Sequence, residues 1–171
     1  MTVALMTPAL AQAPYLPSGP DLGKAEARCR PNEGGPAVLV LATGLKDRTG
    51  LLKAELYPAN EQDFLADDNI LVMAGKAFRR VEMPLPPSGP VQLCLRVPAA
   101  GRYALIVLHD RDSNRKFGLS SDGVGFSGNP RIGLSKPKAD QVAFFAGPGL
   151  TTQTVRMNYR HGLFGFGPVK P

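Results

Sequence analysis

Tryptophan is missing from this chain, and histidine and cysteine occur only twice each. His109 and His161 stand far apart in the sequence, which makes a poor zinc set. No apolar run approaches the ~20 residues of a membrane-spanning helix, so no transmembrane segment is expected. Long amphipathic helices are missing as well: 17 prolines and 19 glycines cut the 171 residues into short segments separated by turns. Dense basic runs are also absent, the tightest cluster being Arg79-Arg80. Without a basic helix or an aromatic-interleaved basic stripe, the net charge of +6 reads as a dispersed positive surface. Such a surface attracts anionic polymers or membranes weakly and implies no specific nucleic-acid partner.

What is present begins at the N-terminus. "MTVALMTPALAQAPYLPSGP" carries a short apolar stretch followed by Ala9 and Ala11, an A-x-A-like cleavage site. A cut after Ala13 would leave Pro14 next to it, which is unfavourable. No Lys or Arg precedes Lys24, so residues 1–13 read as the remnant of a longer export signal. The other reading is an N-terminus without structure of its own. Export predicts a periplasmic or secreted protein, and in an oxidising compartment Cys29 and Cys94 are expected to pair. In "VQLCLRV" (91–97), Val91, Leu93, Leu95 and Val97 alternate with Gln92, Cys94 and Arg96. Cys94 thus lies on the more polar face, where a bridge pins the segment around Cys29. In the chain-entropy model such a bridge contributes about 4 kcal/mol. Two free thiols are the alternative.

Seven segments read as strands: 37–44, 51–58, 76–86, 91–98, 101–110, 141–147 and 151–160. The first is apolar on both faces and central, whereas "LLKAELYP" alternates and is half-buried. Short links suggest hairpins between the first two and between 91–98 and 101–110. With almost no helix, the sheets must bury one face against another, so the fold class is all-β: a single sandwich of about seven strands over 37–160. Residues 14–36 form an extended lead-in tethered by the disulfide, and 161–171 a C-terminal tail. Residues 110–140 stand out as one long loop, beyond the ~12–15 residues usual in compact domains. Phe117, Phe126, Ile132 and Leu134 make it a loop that packs back on the sheet.

Three chemistries are weighed for this region. Asp110, Asp112 and Asn114 open a D-x-D-x-N calcium pattern, but the glycine position is Arg115 and the closing glutamate position is Ser121. A polar turn, its Asp and Asn side chains accepting backbone N–H bonds and pairing with basic neighbours, fits better. "GVGFSG" (123–128) matches G-x-G-x-x-G, yet no helix follows, so its glycines serve tight turns. A hydrolase would need His109 with Ser120 or Ser121 and Asp122, but no nucleophile elbow supports it. A strand-end histidine bonded to backbone is the plainer reading.

"TGLKDRTGLLKAELYP", "PAAGRYALIVLHDRDSNRKF" and "DGVGFSGNP" together resemble the bacterial family known as domain of unknown function 2141. The shared features are a G-L-x-x-x-x-G-x-L-x-x-x-L-Y segment, the strand running into H-D-x-x-x-N-x-K, and the later Gly125-Phe126-Ser127. The resemblance covers residues 37 to 158. It implies an exported β-sandwich, immunoglobulin-like or transthyretin-like, with no established activity. Many relatives carry Asn-Gly after the H-D segment; here Arg115 follows Asn114, which weakens a calcium role borrowed from them.

The expectation is a non-catalytic exported module, without cofactor, that binds a protein, small-molecule or glycan ligand through the 110–140 loop. Its candidate residues are His109, Asp110, Asp112, Asn114, Lys116, Phe117, Asp122, Phe126, Ser127 and Asn129. A calcium-stabilised adhesion or scaffold domain and a small hydrolase using His109 are the alternatives.

Overall fold

The computed structural model describes residues 14–133, 135–163 and 165–169; residues 1–13, where an export signal is expected, and Leu134 lie outside them. Ten strands among the described residues form two sheets. The small sheet has the order β4-β1-β8, with β1 (Ala37–Thr43) antiparallel to β4 (Val91–Arg96) and parallel to β8 (Leu150–Arg156). The large sheet contains β2 (Leu51–Pro58), β3 (Arg79–Pro84), β5 (Gly101–Asp110), β6 (Gly123–Phe126), β7 (Ala143–Ala146), β9 (Asn158–His161) and β10 (Gly165–Gly167). Its order is β10-β9-β6-β5-β2-β3. The long strand β5 gives one edge to β2 and divides the other, β7 pairing with its start and β6 with its end.

Alternation places Val38, Val40, Leu52, Leu56, Leu95 and Leu105 between the sheets, all fully buried. This is the sandwich expected of the strand pattern. A second apolar layer covers the outer face of the large sheet. There Phe64, Leu71 and Phe78, from the β2–β3 connection with α2 (Asp68–Met73), and Ala139 and Val142 of α3 (Ala139–Val142) cover Tyr57, Ala104, Ile106 and Phe126. Strands β2 and β5 are therefore buried on both faces, which explains the unbroken apolar run in β5.

The Cys29–Cys94 bridge forms, with Cα atoms 5.8 Å apart and a sequence separation of 65. It ties the lead-in, including α1 (Lys24–Ala27), to β4 on the side away from the inter-sheet core. The Arg80 N–H donates to Gly23 O and Arg28 bridges to Leu95, so the lead-in spans the β3 and β4 edges and shields both.

Four expectations change. The links β1–β2 and β4–β5 are not hairpins, because each carries the chain from the small sheet to the large one. "LLKAELYP" is not half-buried, since the outer layer also closes over Glu55 and Tyr57. The segment 151–160 is two strands: at Met157 the chain leaves β8 and enters β9 in the other sheet. And 110–140 is not one loop, because Gly123–Phe126 forms β6 between β5 and β9. Its glycines serve close packing: a Cβ on Gly125 would stand 2.6 Å from Val155 Cγ1, and one on Gly123 would run into the Tyr159 ring.

Candidate ligand-binding site

The turn after β5 is built by carboxylates bonded to backbone. The Asn114 and Arg115 N–H groups donate to Asp110, those of Arg111 and Gly118 to Asp122, and Asp112 receives both the N–H and the side-chain amide of Asn114. Arg115 adopts φ 63°, the conformation for which a calcium loop uses glycine. Asp110, Asp112 and Asp122 offer oxygens within 4.8 Å of one another, and burial, with Asp112 and Asp122 beside it, pushes the Asp110 carboxyl up. These oxygens already hold the turn through its amides. The expected pairing with basic neighbours does not occur among the described residues: Arg111 pairs with Asp47 and Arg115 with Glu82.

His109 points into the core and is fully buried. Its Nδ1 lies 2.6 Å from the Tyr159 hydroxyl and its Nε2 2.8 Å from Thr49 O. The same hydroxyl accepts the Lys46 N–H at 3.0 Å, so its own proton goes to Nδ1. Nε2 then carries the hydrogen and donates to Thr49 O, giving a neutral ring with both nitrogens used. Burial lowers its pKa below the ordinary 6.5, although Thr49 and Asp47 oppose this. No serine bonds to His109: Ser121 donates to Gly118 O, and Asp122 is occupied as above. The Ser-His-Asp arrangement is not assembled among the described residues.

Ser127 and Asn129 are structural clasps. The buried Ser127 hydroxyl accepts the Leu105 N–H and donates to Val142 O, holding the outer layer to β5. The Asn129 amide bonds Thr154 O and the Arg156 N–H, replacing a strand partner along the free edge of β8.

Above this frame lie two clefts on the outer face of the large sheet. Cross-strand register sets Glu82, Lys53, Leu108 and Val124 in one row and Arg80, Glu55, Ile106 and Phe126 in the next. The β3–β2 half of the face is charged and the β5–β6 half apolar. Over the apolar half is a cleft of about 380 Å³, floored by Ile106, Leu108, Val124 and Phe126. Phe117, Leu119, Ile132 and Pro137 from the 110–140 segment form its wall, together with Phe166 of β10. Over the charged half is a cleft of about 400 Å³ bounded by Lys53, Arg80, Asn114, Arg115, Lys116 and the lead-in at Ser18–Pro20.

A buried ionic chain runs between them. Arg80 Nε lies 2.7 Å from Glu55 and Nη2 3.1 Å from Asp68, while Lys53 is 3.2 Å from Glu55 and the Tyr57 hydroxyl donates to it at 2.8 Å. Burial pushes Glu55 up, but Lys53 and Arg80 outweigh it and hold the carboxyl below its usual range.

Of the residues singled out in the sequence, Phe117 and Phe126 line the apolar cleft, and Asn114 and Lys116 the charged one. His109, Asp110, Asp122, Ser127 and Asn129 brace the frame, and Asp112 lies exposed in the turn. The floor residues Ile106, Leu108 and Val124 were missed. Ile106 and Leu108 alternate with core residues along β5 and face a second apolar layer, whereas Val124 lies in β6, inside the segment expected to be a loop.

The fold and the clefts define an all-β sandwich with a second layer and a ligand-sized hollow on its outer face. The chain belongs to the family described as "uncharacterized protein conserved in bacteria (DUF2141)", whose sequence pattern matches residues 40–154. No curated protein and no solved structure matches it.

Proposed function

We propose that this protein is an exported, non-catalytic module that binds a ligand at the cell envelope in the apolar cleft walled by the 110–140 segment. The observation that carries this is the cleft itself. Its volume of about 380 Å³ falls in the range of small-molecule sites, and its lining is mainly apolar with few polar groups. Phe117 and Leu119 remain 41% and 57% exposed at the rim, which a purely structural loop would tend to bury. The disulfide supports export. A calcium-stabilised scaffold is the lesser reading, because the acidic oxygens already accept the amides of their own turn.

Titration with the uncharged dye Nile red tests the proposal. Saturable fluorescence is expected, with Phe117→Asp weakening it about tenfold while the melting temperature holds. Leu150→Ser, removing an exposed leucine of the small sheet, should leave it unchanged. Unsaturable binding, or equal loss in both variants, would contradict the reading.

A further inference from the structure

The two clefts lie side by side across the outer face of the large sheet and together give it an amphipathic groove. Glu55 lines the apolar cleft, while its partners Lys53 and Arg80 line the charged one. Lys116 and Phe117, adjacent in the chain, face the charged and the apolar side respectively. The halves are neighbours on the sheet, the charged one over β3 and β2 and the apolar one over β5 and β6, with the register pairing Lys53 to Leu108 and Glu55 to Ile106 across the boundary.

The charge over this groove is unbalanced. Lys53, Arg80, Arg115, Lys116 and Lys136 line it, against the carboxylates of Glu55, Asp68 and Glu82. Arg80 is spent on Glu55 and Asp68, and Arg115 lies 3.3 Å from Glu82. Lys116 has no carboxylate within 4.0 Å among the described residues and is exposed at the mouth of the charged half. A cation standing free beside an apolar trough fits an anion attached to a hydrocarbon. The net charge of +6 favours approach of the same sign of ligand.

We infer that the ligand is a single-chain amphiphile with an anionic head group, its head held at Lys116, and its chain laid over Ile106, Leu108, Val124 and Phe126. This rests on the binding reading above and names the ligand class for it. The head gains charge-assisted contacts where it meets Lys116, and the chain is withdrawn from water on the β5–β6 floor.

Displacement of Nile red by octanoate, octan-1-ol and octyltrimethylammonium, which share one chain length and differ in head charge, decides it. Octanoate should displace the dye at about tenfold lower concentration than the alcohol, with the cation weakest, since a hydrogen bond to a charged group is worth about that much. Lys116→Glu, a change at an exposed side chain, should bring octanoate to within about threefold of octanol, each displacement being scaled to the variant's own affinity for the dye. Raising the salt concentration should weaken octanoate alone. If the alcohol or the cation competes as well as octanoate, or if Lys116→Glu has no effect, the anionic head is overturned while the apolar cleft stands. If the dye does not bind saturably, both fall.

Discussion

His109 shows how one side chain can resemble a catalytic group and serve the frame instead. The ring is neutral because Tyr159 donates to Nδ1 while Thr49 O accepts from Nε2. Protonation would put an N–H at Nδ1, where the ring now accepts the Tyr159 hydroxyl proton, and that proton would need another acceptor. Burial keeps the folded-state pKa below the ordinary 6.5, so the unfolded chain takes up the proton first as pH falls. The stability due to this site is complete above about pH 6.5 and declines below it, by at most ~1.4 kcal/mol per pH unit. Glu55 is held below its ordinary 4.5, so its contribution is lost only in a more acidic window. Asp110 is raised and acts with the opposite sign. Comparing wild type with His109→Gln isolates the imidazole. Urea midpoints taken from neutral pH to about pH 5 should fall for wild type and fall less for the variant. Parallel curves would mean that the ring titrates freely in the fold.

Strand β6 is the element where the sequence pattern misleads most. A glycine triad of dinucleotide-site form is here a strand squeezed between β5 and β9, with Gly123 and Gly125 on the face where β8 gives way to β9. A side chain on Gly125 would meet Val155 and the carbonyl of Arg156, 2.7 Å away, with little space to yield. Gly125→Val should destabilise by roughly 1–3 kcal/mol, as overpacking does, and chemical denaturation at unchanged m-value reads it directly. A neutral result would show that β6 sits further from β8. Much of the frame was legible: β2 and β4 follow apolar alternation, β1 and β5 are unbroken apolar runs, and Cys94 betrayed the bridge by lying on the polar face of its strand. The sheet to which each strand belongs was not legible. Short links serve a hairpin and a step between sheets equally well. Val155, Met157 and Tyr159 keep alternating across the sheet change because both sheets feed the same core. Phe117 and Phe126 were found as cleft residues from their apolar character within a polar segment. Ile106 and Leu108 were hidden because a residue facing a second layer looks like one facing the first, and Val124 because four residues rich in glycine give no strand pattern.

At the scale of the molecule, the sandwich supplies rigidity and the outer layer shapes the candidate site. The inter-sheet core, the disulfide-tethered lead-in and the His109 and Ser127 clasps fix the large sheet, whose outer face is covered by two connections that do not meet completely. The gap left on that face is apolar over β5–β6 and cationic over β2–β3. A ligand is proposed to occupy this gap. Amide-resolved NMR of the intact protein titrated with octanoate tests it most directly. Shifts are expected to gather at Ile106, Leu108, Lys116, Phe117, Val124 and Ile132, leaving the small sheet at Leu39, Leu41 and Thr152 unmoved. Shifts centred on the small sheet, or none at saturating octanoate, would contradict the account.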